Sequence, residues 1–223
     1  MGVGVSYKQR PIEGHFDAIV IGSGVGGLAV AAILAKRCDR RVLVLERHTT
    51  AGGLSQSFTL PGYEWDVGVP SVSAVGGGGA LVRPFDYLGE GRLAWAPLPD
   101  VYDRVHLGER VYDLVRGRAR FVATLKDAFP SEARAIDRYV ELVEDCRRAS
   151  AAFFAAKALP RAMATAMGPA LRDSFFAHAG RTTADVIGSL TQNRELAAVL
   201  SAQYGNYGAP PRESSFAVHA AVA

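Results

Sequence analysis

Cysteine is scarce in this chain: Cys38 and Cys146 are the only two among 223 residues. They lie far apart, outside any C-x-x-C pair. A disulfide scaffold and a zinc-thiolate site are therefore excluded, and two free thiols in a reducing cytoplasm are expected. The five histidines, His15, His48, His106, His178 and His219, lack H-E-x-x-H or any comparable ligand spacing, so no metal is expected. The net charge is only +3 and the arginines are dispersed. The one cluster, Arg116, Arg118 and Arg120, reads as a solvated loop and helix start. With no basic helix and no aromatic-basic array, nucleic acid is not an expected partner. There is no G-x-S-x-G nucleophile turn and no apolar signal region at the start. One uncharged run, Ala18 to Ala35, has the length of a membrane span. Its four glycines, Gly22, Gly24, Gly26 and Gly27, cluster at one point, which suits a strand, a turn and a helix better.

That run is the most informative part of the chain. Phe16 to Ile21 is apolar and rich in β-branched residues, the pattern of a short buried strand. Leu28 to Lys36 is helical in pattern. A second apolar run, Arg41 to Leu45, ends in Glu46. Strand, glycine turn, helix, strand and terminal carboxylate form the βαβ unit that grips the ADP half of a dinucleotide. Gly22 lets the chain leave the strand sharply, Gly24 admits a pyrophosphate to the backbone, and Gly27 lets the helix sit close on the strand. The N–H groups and positive dipole end of the helix face the phosphates. Glu46 accepts hydrogen bonds from ribose hydroxyls and repels a 2′-phosphate, so NADP is disfavoured.

The expected organisation is α/β: a flexible leader over 1–14, a parallel sheet from the βαβ portion over 15–75, and a second, largely helical mixed lobe over 80–223. Ser57 to Asp66 reads as two short strands around Pro61-Gly62, and Gly76 to Gly79 as a loop. Leu81 to Leu88 suits a short helix. The alternating stretches Asp100–Leu107 and Arg110–Val115, separated by Gly108-Glu109, read as a hairpin. Phe121 to Phe129 suits a helix stopped by Pro130. Ser131 is the expected cap of a long helix reaching about Leu159, in which Ile136, Tyr139, Val140 and Val143 share one face. Met163, Met167 and Leu171 form an apolar stripe, and Phe153, Phe154, Phe175 and Phe176 add aromatic bulk. Core packing is the expected role of both, with the wall of an apolar substrate pocket as the alternative. Asn193 is expected to cap a helix from Arg194 to Gln203.

Six stretches together resemble one family: FDAIVIGSGVGGLAVAAILAK, RVLVLERHTTAGGLSQSF, GYEWDVG, APLPDVYDRV, AFPSEARAIDRYVELV and ESSFAVHAAVA. They resemble the FAD-dependent amine oxidase-type flavoproteins, and most of all their phytoene desaturase, carotenoid isomerase and retinol saturase-like branch, from residue 16 onward. The resemblance implies a Rossmann-like fold, an FAD cofactor and redox chemistry on a long apolar polyene or lipid-like substrate. Carried over by position, Gly22, Gly24, Gly26 and Gly27 hold the FAD pyrophosphate and Glu46 the adenosine ribose. Arg47, Gly52 and Gly53 line the path towards the flavin, and Asp66-x-Gly68 lies near its entry. No single catalytic acid or base is assigned. Peripheral membrane contact is also implied.

The chain departs from the branch at Gly68-Val69-Pro70-Ser71, where retinol saturase-like members carry a Gly-Ile-His-Tyr type sequence. It departs again at Leu54-Ser55, where they carry a cysteine or small polar residue. Family members also run about twice as far, which implies an N-terminal portion, inactive alone, with a second chain carrying the C-terminal half as a candidate partner. On this reading the apolar stretch Phe216 to Ala223 is an exposed, adhesive tail. Two alternatives remain beside the flavoenzyme: a non-catalytic nucleotide-binding remnant, and an NAD-dependent dehydrogenase. Gly52-Gly53 argues against the latter, because a crossover helix is expected there in a dehydrogenase.

Overall fold

The computed structural model describes residues 4–68, 71–72, 75, 79 and 81–223. Val69, Pro70 and most of the Gly76–Gly79 stretch lie outside the described residues. The chain divides into two units, Met1–Ala96 and Pro97–Ala223.

In the first unit, β1 (Ala18–Ile21) leads through the glycine turn into α1 (Val25–Cys38) and back into β2 (Val42–Leu45). β1 and β2 pair in parallel, with Ala18 opposite Val42 and Ile21 opposite Leu45. Gly22 N–H donates to Leu45 O at 2.7 Å and carries the ladder one residue further. Parallel pairing across a helical crossover is the expected βαβ topology. After β2 comes a 3-10 turn at Gly53–Ser55. The antiparallel hairpin of β3 (Ser57–Leu60) and β4 (Tyr63–Asp66) comes next, closed at Pro61-Gly62 as the sequence suggests. The helix α2 (Val82–Gly89) packs on α1, where Lys36 reaches Glu90 at 2.9 Å and the Tyr87 carbonyl at 3.3 Å.

β1 is not the buried strand that its composition suggests: Ile19 is 59% and Ile21 88% exposed. Among the described residues its sheet has two strands and one packed helix, so one face lacks the second layer that parallel strands ordinarily have.

The second unit opens with the hairpin of β5 (Val101–Leu107) and β6 (Arg110–Val115), turned at Gly108. Beyond it lie six helices: α3 (Arg118–Ala128), α4 (Ala133–Ala156), α5 (Arg161–Ala179), α6 (Thr183–Leu190), α7 (Arg194–Ser201) and α8 (Phe216–Val222). The core forms around α4. Ile136, Tyr139, Val140, Val143 and Cys146 recur at helical spacing and meet Leu114, Leu125, Val186, Ile187, Leu196, Val199 and Phe216. Burying each such aliphatic side chain is worth about 1.5–3 kcal/mol.

Several helix ends differ from the sequence reading. Ser131 does not cap α4. Pro130–Glu132 is a 3-10 turn, and α4 starts at Ala133 without a side-chain cap, because Pro130 fixes the chain in a tight turn first. Asn193 does cap α7, accepting from Glu195 N at 3.0 Å and Leu196 N at 3.1 Å. Met163 and Met167 are each 49% exposed and belong to no core, because α5 meets α4 through Phe175, which packs on Phe153 and Phe154, instead. Phe216 to Val222 is no loose tail: Ser215 caps it as α8, and Phe216 and Ala220 are fully buried.

Candidate functional site

The glycine turn between β1 and α1 combines two kinds of glycine. Gly22 has φ +96°, a conformation that L side chains avoid. A Cβ on Gly27 would lie 2.3 Å from Gly22 O, so the helix can sit this close to the strand end only with glycine there. Gly24 and Gly26 are open instead, and a Cβ on either would meet nothing within 4 Å. This open cradle lies at the helix start. The first helical bond runs from Leu28 N to Gly24 O at 2.9 Å, so the N–H groups of Val25, Gly26 and Gly27 have no acceptor within the helix. No side chain caps α1, as none caps α2 to α5. An uncapped N-terminus beside an open glycine surface suits a pyrophosphate. The residues present therefore fit a dinucleotide.

Glu46, at the end of β2, meets this turn. Its Oε2 accepts from Ser23 N at 2.8 Å and Ser23 Oγ at 2.5 Å, and its Oε1 accepts from His48 N at 2.8 Å. These bonds, the His48 N–H foremost and then the Ser23 hydroxyl, hold the carboxyl at a pKa of about 2. Glu46 is thus a fixed, ionised acceptor at neutral pH. Arg47 is exposed, and its backbone N–H also faces the Glu46 carboxylate.

The Gly52-Gly53 pair reaches the same place. Gly24 and Gly52 form a parallel bridge, and Gly52 N donates to Ser23 O and Ser23 Oγ, both at 3.2 Å. A Cβ on Gly53 would lie 3.0 Å from Gly24 Cα, so two glycine backbones touch here. Residues Gly22, Gly24, Gly26, Gly27, Glu46, Gly52 and Gly53 are therefore brought together, with Arg47 at the margin. Asp66, the last residue of β4, pairs with Ser57, and Gly68 lies against Leu54, where a Cβ would be 3.2 Å from the Leu54 carbonyl oxygen. Sequence reasoning missed Ser23. It is 2% exposed and contacts all three segments. Its position inside the glycine motif, opposite a strand-end acid, was the available signal.

In the second unit, Phe153 stacks on Phe175 at 4.4 Å, with Phe154 and Phe176 edge-on. Beside Phe153 lies a groove of about 410 Å³, lined in part by Lys157, Thr165, Pro169 and Arg172. Arg116 and Arg120 both pair with Asp100, and Arg118 pairs with Glu144. Those arginines are thus engaged in ion pairs. His219 is buried, bonded through Nε2 to Tyr139 at 2.8 Å and through Nδ1 to Tyr207 at 3.1 Å. Burial lowers its pKa to about 4.

Geometry and sequence comparison agree on the class: the first unit carries a Rossmann-like dinucleotide-binding domain, and the NAD(P)-binding Rossmann-like domain family matches residues 20–88. The chain is 40% identical to an all-trans-retinol 13,14-reductase of Danio rerio, over 92% of this chain and 35% of that protein. It is 30% identical to an inactive all-trans-retinol 13,14-reductase of the same organism, over 96% of this chain and 36% of that one. It is also 49% identical to the chloroplastic prolycopene isomerase of Arabidopsis thaliana, over 27% of this chain and 10% of that protein. Its sequence is thus similar both to retinol 13,14-reductases, along most of its length, and, over a shorter stretch, to a prolycopene isomerase. The chain spans about a third of the length of the retinol reductases it matches.

Proposed function

We propose that this chain provides the FAD-binding end of an oxidoreductase acting on a long apolar polyene of the retinoid or carotenoid kind. The observation that carries this reading is the meeting of the glycine turn, Glu46 and Gly52-Gly53 in a chain similar along most of its length to retinol 13,14-reductases. FAD is favoured over NAD by the path of the chain beyond β2. It enters a 3-10 turn packed on the glycine loop and then a hairpin, where a dehydrogenase would begin its next crossover helix. A bound flavin supplies hydride chemistry at its N5. The chain's own residues bind and orient: the N–H groups of Val25 to Gly27 take the pyrophosphate, Glu46 takes a ribose hydroxyl, and Gly52-Gly53 let the extended cofactor pass close to backbone. The test is titration of the purified protein with FAD and, separately, NAD. Quenching of flavin fluorescence with far weaker binding of NAD is expected, and a preference for NAD would defeat the assignment.

We infer a further layer over β1. Its exposed Ile19 and Ile21, on a strand type normally covered on both faces, favour a further polypeptide layer over this sheet. The protein by itself should bind a hydrophobic dye such as ANS and self-associate. A dye-silent monomer would contradict this.

Membrane contact at the surface is proposed for the α4–α5 hairpin. Lys157 and Arg161 lie on this hairpin outside the ion pairs described, whereas Arg148 pairs with Asp145, Arg172 with Asp173, and Arg147 donates to Ala220 O. Phe154, Phe176, Met163 and Met167 are exposed nearby. Exposed aromatics and methionines among cations suit an anionic lipid surface. Among the described residues no helix is long and apolar enough to cross a membrane. Vesicles rich in phosphatidylserine should sediment the protein and neutral vesicles should not; equal recovery from both would refute the contact.

A further inference from the structure

Ser23 is the one buried polar residue described in the first unit, set among the half-buried Gly22, Gly24, Gly52 and Gly53. Such burial needs satisfied hydrogen bonds, and Ser23 has four. Its N–H and hydroxyl both donate to Glu46 Oε2, and its hydroxyl and carbonyl oxygens both accept from Gly52 N–H. The hydroxyl therefore lies between an acid at the end of β2 and a glycine turn that comes six residues later in sequence.

We propose that Ser23 is a positioning residue that aligns Glu46 and the Gly52 turn for a dinucleotide. The inference rests on the dinucleotide reading above and deepens it. The carboxylate has about four acceptor positions. Two on Oε2 are taken by Ser23, and one on Oε1 by His48. The Arg47 N–H also faces the carboxylate, and Oε1 is the oxygen that Ser23 does not hold, so Ser23 decides which oxygen of Glu46 can turn to a ribose hydroxyl. Rotating the carboxyl to present both oxygens would break the Ser23 bonds. Glu46 thus meets the ribose through one oxygen, with its direction set from within the glycine motif. The same hydroxyl tethers Gly52, so losing it relaxes both walls of the site together.

The experiment compares the wild-type chain with Ser23→Ala, Glu46→Gln and the double variant, using the full chain throughout. Glu46 is followed by carboxyl carbon NMR across pH, assigned by its disappearance in Glu46→Gln, and FAD binding is measured on the same samples. Removing one charge-assisted bond is expected to raise the Glu46 midpoint by about one pH unit and to weaken FAD binding about tenfold. The two substitutions should be non-additive, the double variant binding about as weakly as Glu46→Gln. Ser23→Thr keeps a hydroxyl and should hold the Glu46 midpoint low. Should Ser23→Ala not fold, Ser23→Gly removes the same hydroxyl in a turn that accepts glycine. An unmoved Glu46 midpoint, or additive losses, would overturn the proposal. Failure of the wild type to bind FAD would refute the functional reading, while the NMR titration would still decide the role of Ser23.

Discussion

Gly24 and Gly27 stand three residues apart in one motif, but they should respond oppositely to substitution. A side chain on Gly27 meets Gly22 O at 2.3 Å, a fixed backbone atom, so Gly27→Ala is expected to destabilise the βαβ unit whether or not a ligand is present. It should lower the thermal midpoint of the first unit. Gly24 has φ −63° and ψ 166°, which any residue adopts, and open space beside it. Gly24→Val should therefore fold normally and lose only the ligand, with unchanged circular dichroism and no FAD binding. Glu46 adds a pH signature. Its folded pKa of about 2 lies below the ordinary value of 4.5, so the stability it lends is complete above pH 4.5. That stability is lost as pH falls from there to about 2. Binding to the wild type should accordingly stay flat from neutral pH down to about 5, as a titration of affinity against pH would show.

The elements of the second unit make separable predictions. Asn193 holds two N–H groups at the start of α7, so Asn193→Ala should cost about 1 kcal/mol in chemical denaturation. His219 of α8 lies between Tyr139 and Tyr207 and stays neutral down to about pH 4. Between pH 6.5 and 4 the unfolded chain takes up a proton that the folded chain refuses. Stability should then fall on acidification by about 1.4 kcal/mol for each pH unit in that window. Denaturation at pH 7.5 and 5 checks this, and His219→Phe should flatten the difference. Local patterns make much of this architecture legible: the β5–β6 turn at Gly108, the α4 stripe of Ile136, Tyr139, Val140 and Val143, and the Asn193 cap. Where tertiary partners decide, the sequence is a poorer guide. Met163 and Met167 have a core-like spacing, but α5 meets α4 through Phe175, which stacks on Phe153, and both methionines stay exposed. Phe216 to Val222 reads as an apolar tail because nothing local announces that α4 and α5 supply its binding groove. Ser23 is hard to single out because its importance lies in Glu46 and Gly52, both distant in sequence.

For the whole molecule, function rests on the first unit and on similarity that runs through both. The glycine motif, the acid and the second glycine pair are legible as a set because each has its own backbone or charge requirement at a fixed place along a βαβ unit. Their convergence on one hydroxyl is not, since it depends on how the turn after β2 folds back. The cofactor assignment is therefore the claim on which the rest stands. It is tested most directly by titrating FAD against the wild-type chain and Gly24→Val side by side, with circular dichroism on both. Saturable FAD binding by the wild type, absent in an equally folded Gly24→Val, is the expected result. FAD bound equally by both, or by neither while both remain folded, would contradict the account.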